Sequence, residues 1–118
     1  MPKIYLSPST QDWNMYVTGS GSEEYNMNLL ADALVPYLLS NGIQYQRNRP
    51  EMTAGSSIRE ANQGEYDLYL ALHSNAAPEG RYGEERGIIA FYYPGSVGGQ
   101  RAAELIAQEL RKIYPLPN

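Results

Sequence analysis

The sequence holds no cysteine, and only one histidine, one tryptophan and one phenylalanine in 118 residues. Without cysteine there is no disulfide framework, thiolate nucleophile, iron–sulfur cluster or cysteine zinc finger. Basic residues are also few: 9 Lys/Arg against 13 Asp/Glu give a net charge of −4. With no basic cluster, neither nucleic acid nor a membrane surface is an expected partner. No apolar run approaches the roughly 20 residues of a membrane helix. The opening Met1-Pro2-Lys3-Ile4-Tyr5-Leu6-Ser7-Pro8 reads as a strand and lacks the apolar stretch of a signal peptide. The expectation is one soluble, acidic domain made in the cytoplasm. Tyrosine is what the chain has in excess, eleven in all.

The apolar pattern predicts alternating strands and helices. Lys3 to Ser7 reads as a first strand ended by Pro8, and Ser9 to Ser22 as a long polar loop. Ser22 is placed to cap a helix starting at Glu23, with two acids at the positive end of its dipole. Leu30, Ala33, Leu34, Tyr37 and Leu38 mark its apolar face, and Gly42 its stop. Pro36 is expected to kink or divide this helix near Asp32. Ile43 to Arg47 follows as a second strand. Ser57-x-x-Glu60 reads as the capping box of a short helix. Asp67 to His73 is the most apolar run and suits a central strand. Gly87 to Tyr93 reads as a fourth strand, and Ser96 as the cap of a last helix carrying Ala102, Ala103, Ile106, Leu110 and Ile113. This order is the α/β pattern: three layers, a mostly parallel sheet of about four strands and helices on both faces.

His73 falls at the carboxyl end of the best strand, where ligands bind in open parallel sheets. Glu24 lies in the first turn of the first long helix. A zinc site takes about three protein ligands of the His/Glu type and leaves a position for water. Bound zinc lowers the pKa of that water to about 7 and polarises a carbonyl, the logic of metal-assisted amide hydrolysis. Tyr16, Tyr82, Tyr92 and Tyr93 are candidates for stacking on sugar rings, whereas Tyr5, Tyr37, Tyr45 and Tyr69 are expected in or beside the core.

Ser7-Pro8-Ser9-Thr10-Gln11, then Gly21-Ser22-Glu23-Glu24 with Asn28-Leu29, Arg47-Asn48, and Leu70-Ala71-Leu72-His73-Ser74-Asn75-Ala76 together form an ordered set. It resembles the zinc-dependent N-acetylmuramoyl-L-alanine amidases, which cleave the amide between muramic acid and the stem peptide of peptidoglycan. The resemblance runs over the whole chain, and its most specific piece is His-Ser-Asn-Ala. It implies that Glu24 and His73 are zinc ligands and that Asn75 lines the substrate groove. Glu23 is the alternative carboxylate, since Glu24 is chosen by the spacing to Asn28 and Leu29.

The chain also departs from that family. Most members carry Asp-Pro-Gly-His after the first strand, whereas this chain reads Ser7-Pro8-Ser9-Thr10, as in a subgroup with a Ser-Pro-Ser-x-Gln loop. Gln11 is then either a third ligand through its amide oxygen or a brace for the loop. Ile89 stands where relatives commonly place a glutamate. The family's catalytic glutamate lies beyond the third helix, so the general base is expected past Asn118. Glu84 and Glu85 read as solvated loop charges. The resemblance therefore implies that residues 1–118 are a partial amidase domain without the family's last strand and helix, inactive as this piece. It further implies a monomer that meets peptidoglycan outside the cell after lysis. A non-catalytic peptidoglycan-binding module of the same fold is the alternative.

Overall fold

The computed structural model describes residues 2–13, 15, 16, 19, 21–74 and 88–113. The chain divides into two compact units, Met1–Ala76 and Ala77–Asn118. The first unit holds five elements: β1 (Lys3–Pro8), α1 (Glu23–Ser40), β2 (Gln44–Arg47), α2 (Ala54–Gln63) and β3 (Leu68–Leu72). The second holds α3 (Val97–Arg111).

The three strands form a parallel sheet in the order β2-β1-β3. β1 is central, and successive residues of a strand face opposite sides. Ile4 and Leu6 turn to one side and pack with Ala31 and Leu38 of α1, joined by Leu34, Val35, Ile43, Tyr45, Leu68, Leu70 and Leu72. Tyr5 and Ser7 turn to the other. There the Tyr5 hydroxyl donates to Glu60 of α2 at 2.9 Å, and Tyr5 stacks on Tyr69 at 5.5 Å. Helices therefore cover both faces, as right-handed crossovers to the two sides of β1 require. Moving outward to β2 and then across to β3 makes the carboxyl ends of β1 and β3 a topological switch point, where α/β sheets bind ligands.

Several expectations need correction. Among the described residues the sheet has three strands, and 88–93, assigned to a fourth, are not extended into one. Gly87, the first residue of that expected strand, lies outside the described residues. α1 runs unbroken through Pro36. That proline leaves the carbonyl of Asp32 without its helical donor, and Asp32 is exposed, so water can supply one. α2 begins earlier than Ser57: Thr53 is its cap, and Thr53 and Ser56 form the reciprocal capping box. Tyr37, expected near the core, is 70% exposed, and in α3 it is Ala107 that is buried while Ile106, Leu110 and, past the helix end, Ile113 are exposed. The caps Ser22 and Ser96 are where the sequence put them, accepting from Tyr25 and Gly99. Among the described residues no helix is long and apolar enough to cross a membrane.

Candidate functional site

The loop after β1 is fixed by backbone bonds before any side chain acts. The Ser9 amide donates to the Leu72 carbonyl at 2.9 Å, tying the ends of β1 and β3 together. The buried Ser9 hydroxyl accepts from the Gln11 amide at 3.1 Å. Further on, Met15 and Ser22 form an antiparallel bridge, and Gly21, at φ +102°, turns the chain into α1. A side chain there would face both left-handed backbone strain and the Tyr25 ring at 3.0 Å, so glycine is required. The Tyr16 and Ser74 hydroxyls hydrogen-bond, linking this loop to the end of β3.

This turn delivers the first residue of α1 to the end of the sheet. Glu23 is fully buried, and its Oε2 lies 3.0 Å from Nδ1 of His73. The His73 side chain remains 42% exposed. The carboxylate beside His73 is thus that of Glu23. Glu24, the residue chosen by family spacing, is half-buried, and its backbone meets Gln11 and Asn28. Asn28 acts away from the site. Its Oδ1 accepts from Arg47 at 2.8 Å, while Arg47 also pairs with Asp32 at 2.7 Å and so clamps α1 to β2. Asn75, Tyr82, Glu84 and Glu85 lie outside the described residues.

His73 and Gln11 line one cavity of about 380 Å³ together with Ser7, Ser9, Thr10, Trp13, Thr53 and Tyr69. Beneath it sits a polar cluster that the sequence pattern did not reveal. Asn48, 8% exposed, points Nδ2 at Ser7 Oγ (3.1 Å), the Pro8 carbonyl (3.1 Å) and Ser57 Oγ (3.2 Å). The Tyr69 hydroxyl also donates to Ser7 Oγ, at 2.9 Å. One amide therefore joins the ends of β1 and β2 to α2. The available signal was an asparagine directly after a strand, flanked by arginines, a position where an apolar or turn residue needs no partner.

On the same face, burial and the bond to Glu60 push the Tyr5 phenol well above its usual value. The hydrogen bonds from Arg49 and Tyr5 hold the Glu60 carboxyl below the ordinary carboxylate range. This trio braces α2 against the sheet.

Glu23 and His73 are a carboxylate and an imidazole, donors of the type that hold zinc. No third His, Cys, Asp or Glu joins them among the described residues. Gln11 shares the cavity with His73 and can offer a neutral oxygen. Compared with known proteins, the chain matches no family model, no curated protein and no solved structure.

Proposed function

We propose that the chain is a peptidoglycan amidase unit directed at the amide between N-acetylmuramic acid and L-alanine. In this reading His73 and Glu23 hold a zinc ion, with the Gln11 amide oxygen as a weak third donor. The observation that carries it is the 3.0 Å pairing of His73 with a carboxylate at the start of α1. The two residues are 50 apart in sequence and meet at the β1/β3 switch point, where this fold class binds its ligands. Zinc, when bound, would polarise the scissile carbonyl and acidify a water. Glu23, closed to solvent, fixes the imidazole ring, and Ser9 fixes the loop that carries Gln11. The carboxylate is taken to be Glu23 in place of Glu24 because only Glu23 reaches the ring.

The test is zinc content by elemental analysis. Wild type and Glu24→Gln should bind zinc, whereas His73→Ala and Glu23→Gln should lose it. A wild-type chain that takes up no zinc removes the catalytic reading. The presence of only two charged-type donors among the described residues favours a second reading, a peptidoglycan-binding module without metal. That module would sediment with isolated cell walls and hold no zinc. In either case the partner is the cell-wall polymer, met by a monomer outside the cytoplasm.

A further inference from the structure

Asn41-Gly42 is the one Asn-Gly step in the chain, and it falls exposed at the C-terminal end of α1. Asparagine before glycine is the pair most prone to spontaneous deamidation, because no side chain shields the amide nitrogen that follows. What the fold does with this pair is written in its hydrogen bonds. Gly42, at φ +73°, donates its N–H to the Leu39 carbonyl at 3.1 Å, and Ile43 donates to Leu38 at 2.9 Å. Those two bonds form a Schellman closure with glycine in the left-handed position. Asn41 donates from its backbone to Tyr37 and Leu38, and from Nδ2 to the Tyr37 carbonyl at 2.8 Å. Together these donors satisfy the carbonyls of Tyr37, Leu38 and Leu39 at the helix end.

We propose that Asn41 is a latent self-modification site, kept unreactive by this cap and released when the end of α1 frays. In the reaction the Gly42 nitrogen gives its proton to hydroxide and bonds to Asn41 Cγ. The Cγ–Nδ2 bond breaks, and ammonia leaves with a proton taken from water. A second water opens the five-membered imide at either carbonyl, giving aspartate or isoaspartate, and nothing is oxidised or reduced. The native geometry opposes the first step. At ψ 11° the Gly42 nitrogen nearly eclipses the Asn41 nitrogen, so it lies about a third of a turn from Cβ and the carboxamide. Nucleophile and leaving group are also tied to separate carbonyls, Leu39 and Tyr37. Attack therefore waits for local opening of the last turn, and helix ends are where chains open most readily. Either product sets a carboxylate at the negative pole of α1 and removes the donor to Tyr37. Isoaspartate also lengthens the backbone by one carbon just before Gly42 and Ile43, and Ile43 packs on the core. Each event therefore weakens the cap that had held the site closed. The inference needs neither the metal nor the substrate reading.

The full chain, folded and in urea, is incubated in mildly alkaline buffer and then digested for mass spectrometry. An isoaspartyl methyltransferase counts the isoaspartate. In urea, Asn41 should convert faster than any other asparagine, and in the folded chain its rate should fall by about tenfold or more. Leu39→Gly tests the gate, because Leu39 is exposed and glycine loosens a helix without touching the core. The folded rate at Asn41 should then rise about fivefold, with Gly42 amide exchange rising alike and the rate in urea unchanged. Asn41→Asp, which mimics one product, should lower the urea midpoint by a few tenths of a molar. Equal rates in the folded and unfolded chain, or a Leu39→Gly rate equal to that of wild type, overturn the gate. Faster conversion at another asparagine in urea overturns the site, and an unmoved Asn41→Asp midpoint overturns its effect on the cap.

Discussion

Replacing Asn48 tests whether one buried amide holds the floor of the cavity. Nδ2 carries two hydrogens and faces three acceptors at 3.1–3.2 Å, so it supplies two hydrogen bonds' worth of stabilisation shared among three partners. At about 1 kcal/mol net for each bond, plus the cost of buried acceptors that lose their donor, Asn48→Ala should destabilise by about 2–4 kcal/mol. That is a large share of the ~5–15 kcal/mol that stabilises a typical domain. Urea unfolding followed by circular dichroism should place the variant midpoint about 1–2 M lower, given slopes of about 1–3 kcal/mol per M. Asn48→Asp separates hydrogen bonding from packing, because it keeps the shape and turns the donor into an acceptor facing three oxygens. Those oxygens and burial raise the new carboxyl's folded pKa above its unfolded value of about 3.9. Its contribution is then intact below about pH 4 and lost as pH rises, so the gap to wild type should narrow in acid. An Asn48→Ala variant within about 0.5 kcal/mol of wild type, or an Asn48→Asp gap that ignores pH, would refute the reasoning.

Other consequences can be checked by the same unfolding measurements. Tyr5, raised above its ordinary 10.0, contributes stability that is complete below about pH 10 and lost as pH climbs past it. The urea midpoint should therefore fall from pH 9 to 11 in wild type and fall less in Tyr5→Phe. Glu60, lowered below 4.5, contributes stability that is complete above that value and lost as pH drops. Glu60→Gln should flatten the acid limb between pH 5 and 3. Gly64→Ala would set a Cβ 2.5 Å from the Tyr66 ring, which is held edge-on to Tyr5 and under the Lys3 ammonium. Thermal melts should show a loss of about 1–3 kcal/mol. Gly21→Ala, strained at φ +102°, should cost about 1–3 kcal/mol and, on the proposed zinc reading, also lower zinc uptake by loosening the turn that delivers Glu23.

The elements of the first unit were legible because their signals are local. Strand β1 is an apolar alternation ended by proline, and Ser22 before two acids announces the start of α1. Period and capping also gave the α/β class. What escaped depends on contacts across the chain. Which of two adjacent glutamates turns inward is set by how α1 lies over the sheet, and residues 23 and 24 look alike locally. Thr53 and Ser57 both satisfy a capping pattern, and Ser57 is instead buried, its hydroxyl donating to the Thr53 carbonyl and accepting from Asn48 just past the end of β2. The run at 88–93 is rich in strand-forming residues, yet a strand exists only where a neighbour pairs with it. His73 stood out in the sequence by its rarity and its place after an apolar run. Its partner could be read only from the fold.

The central position of β1 bears on how the protein is made. Both neighbours of this strand lie far downstream: Lys3 bonds Asp67, 64 residues away, and the backbone pairing with β2 crosses all of α1. As the chain emerges during synthesis, Tyr5 and Leu6, fully buried in the finished fold, have no sheet to enter until the residues of β3 have been added. Contacts so distant in sequence make for slow folding, since loop closure must precede the reward. The Glu23–His73 pair shares that timing, because it needs the first residue after β3 and the first residue of α1. A nascent chain halted before residue 73 would carry α1 and its caps while lacking the Glu23–His73 pair; on the zinc reading proposed above, zinc affinity should appear abruptly once His73 is added.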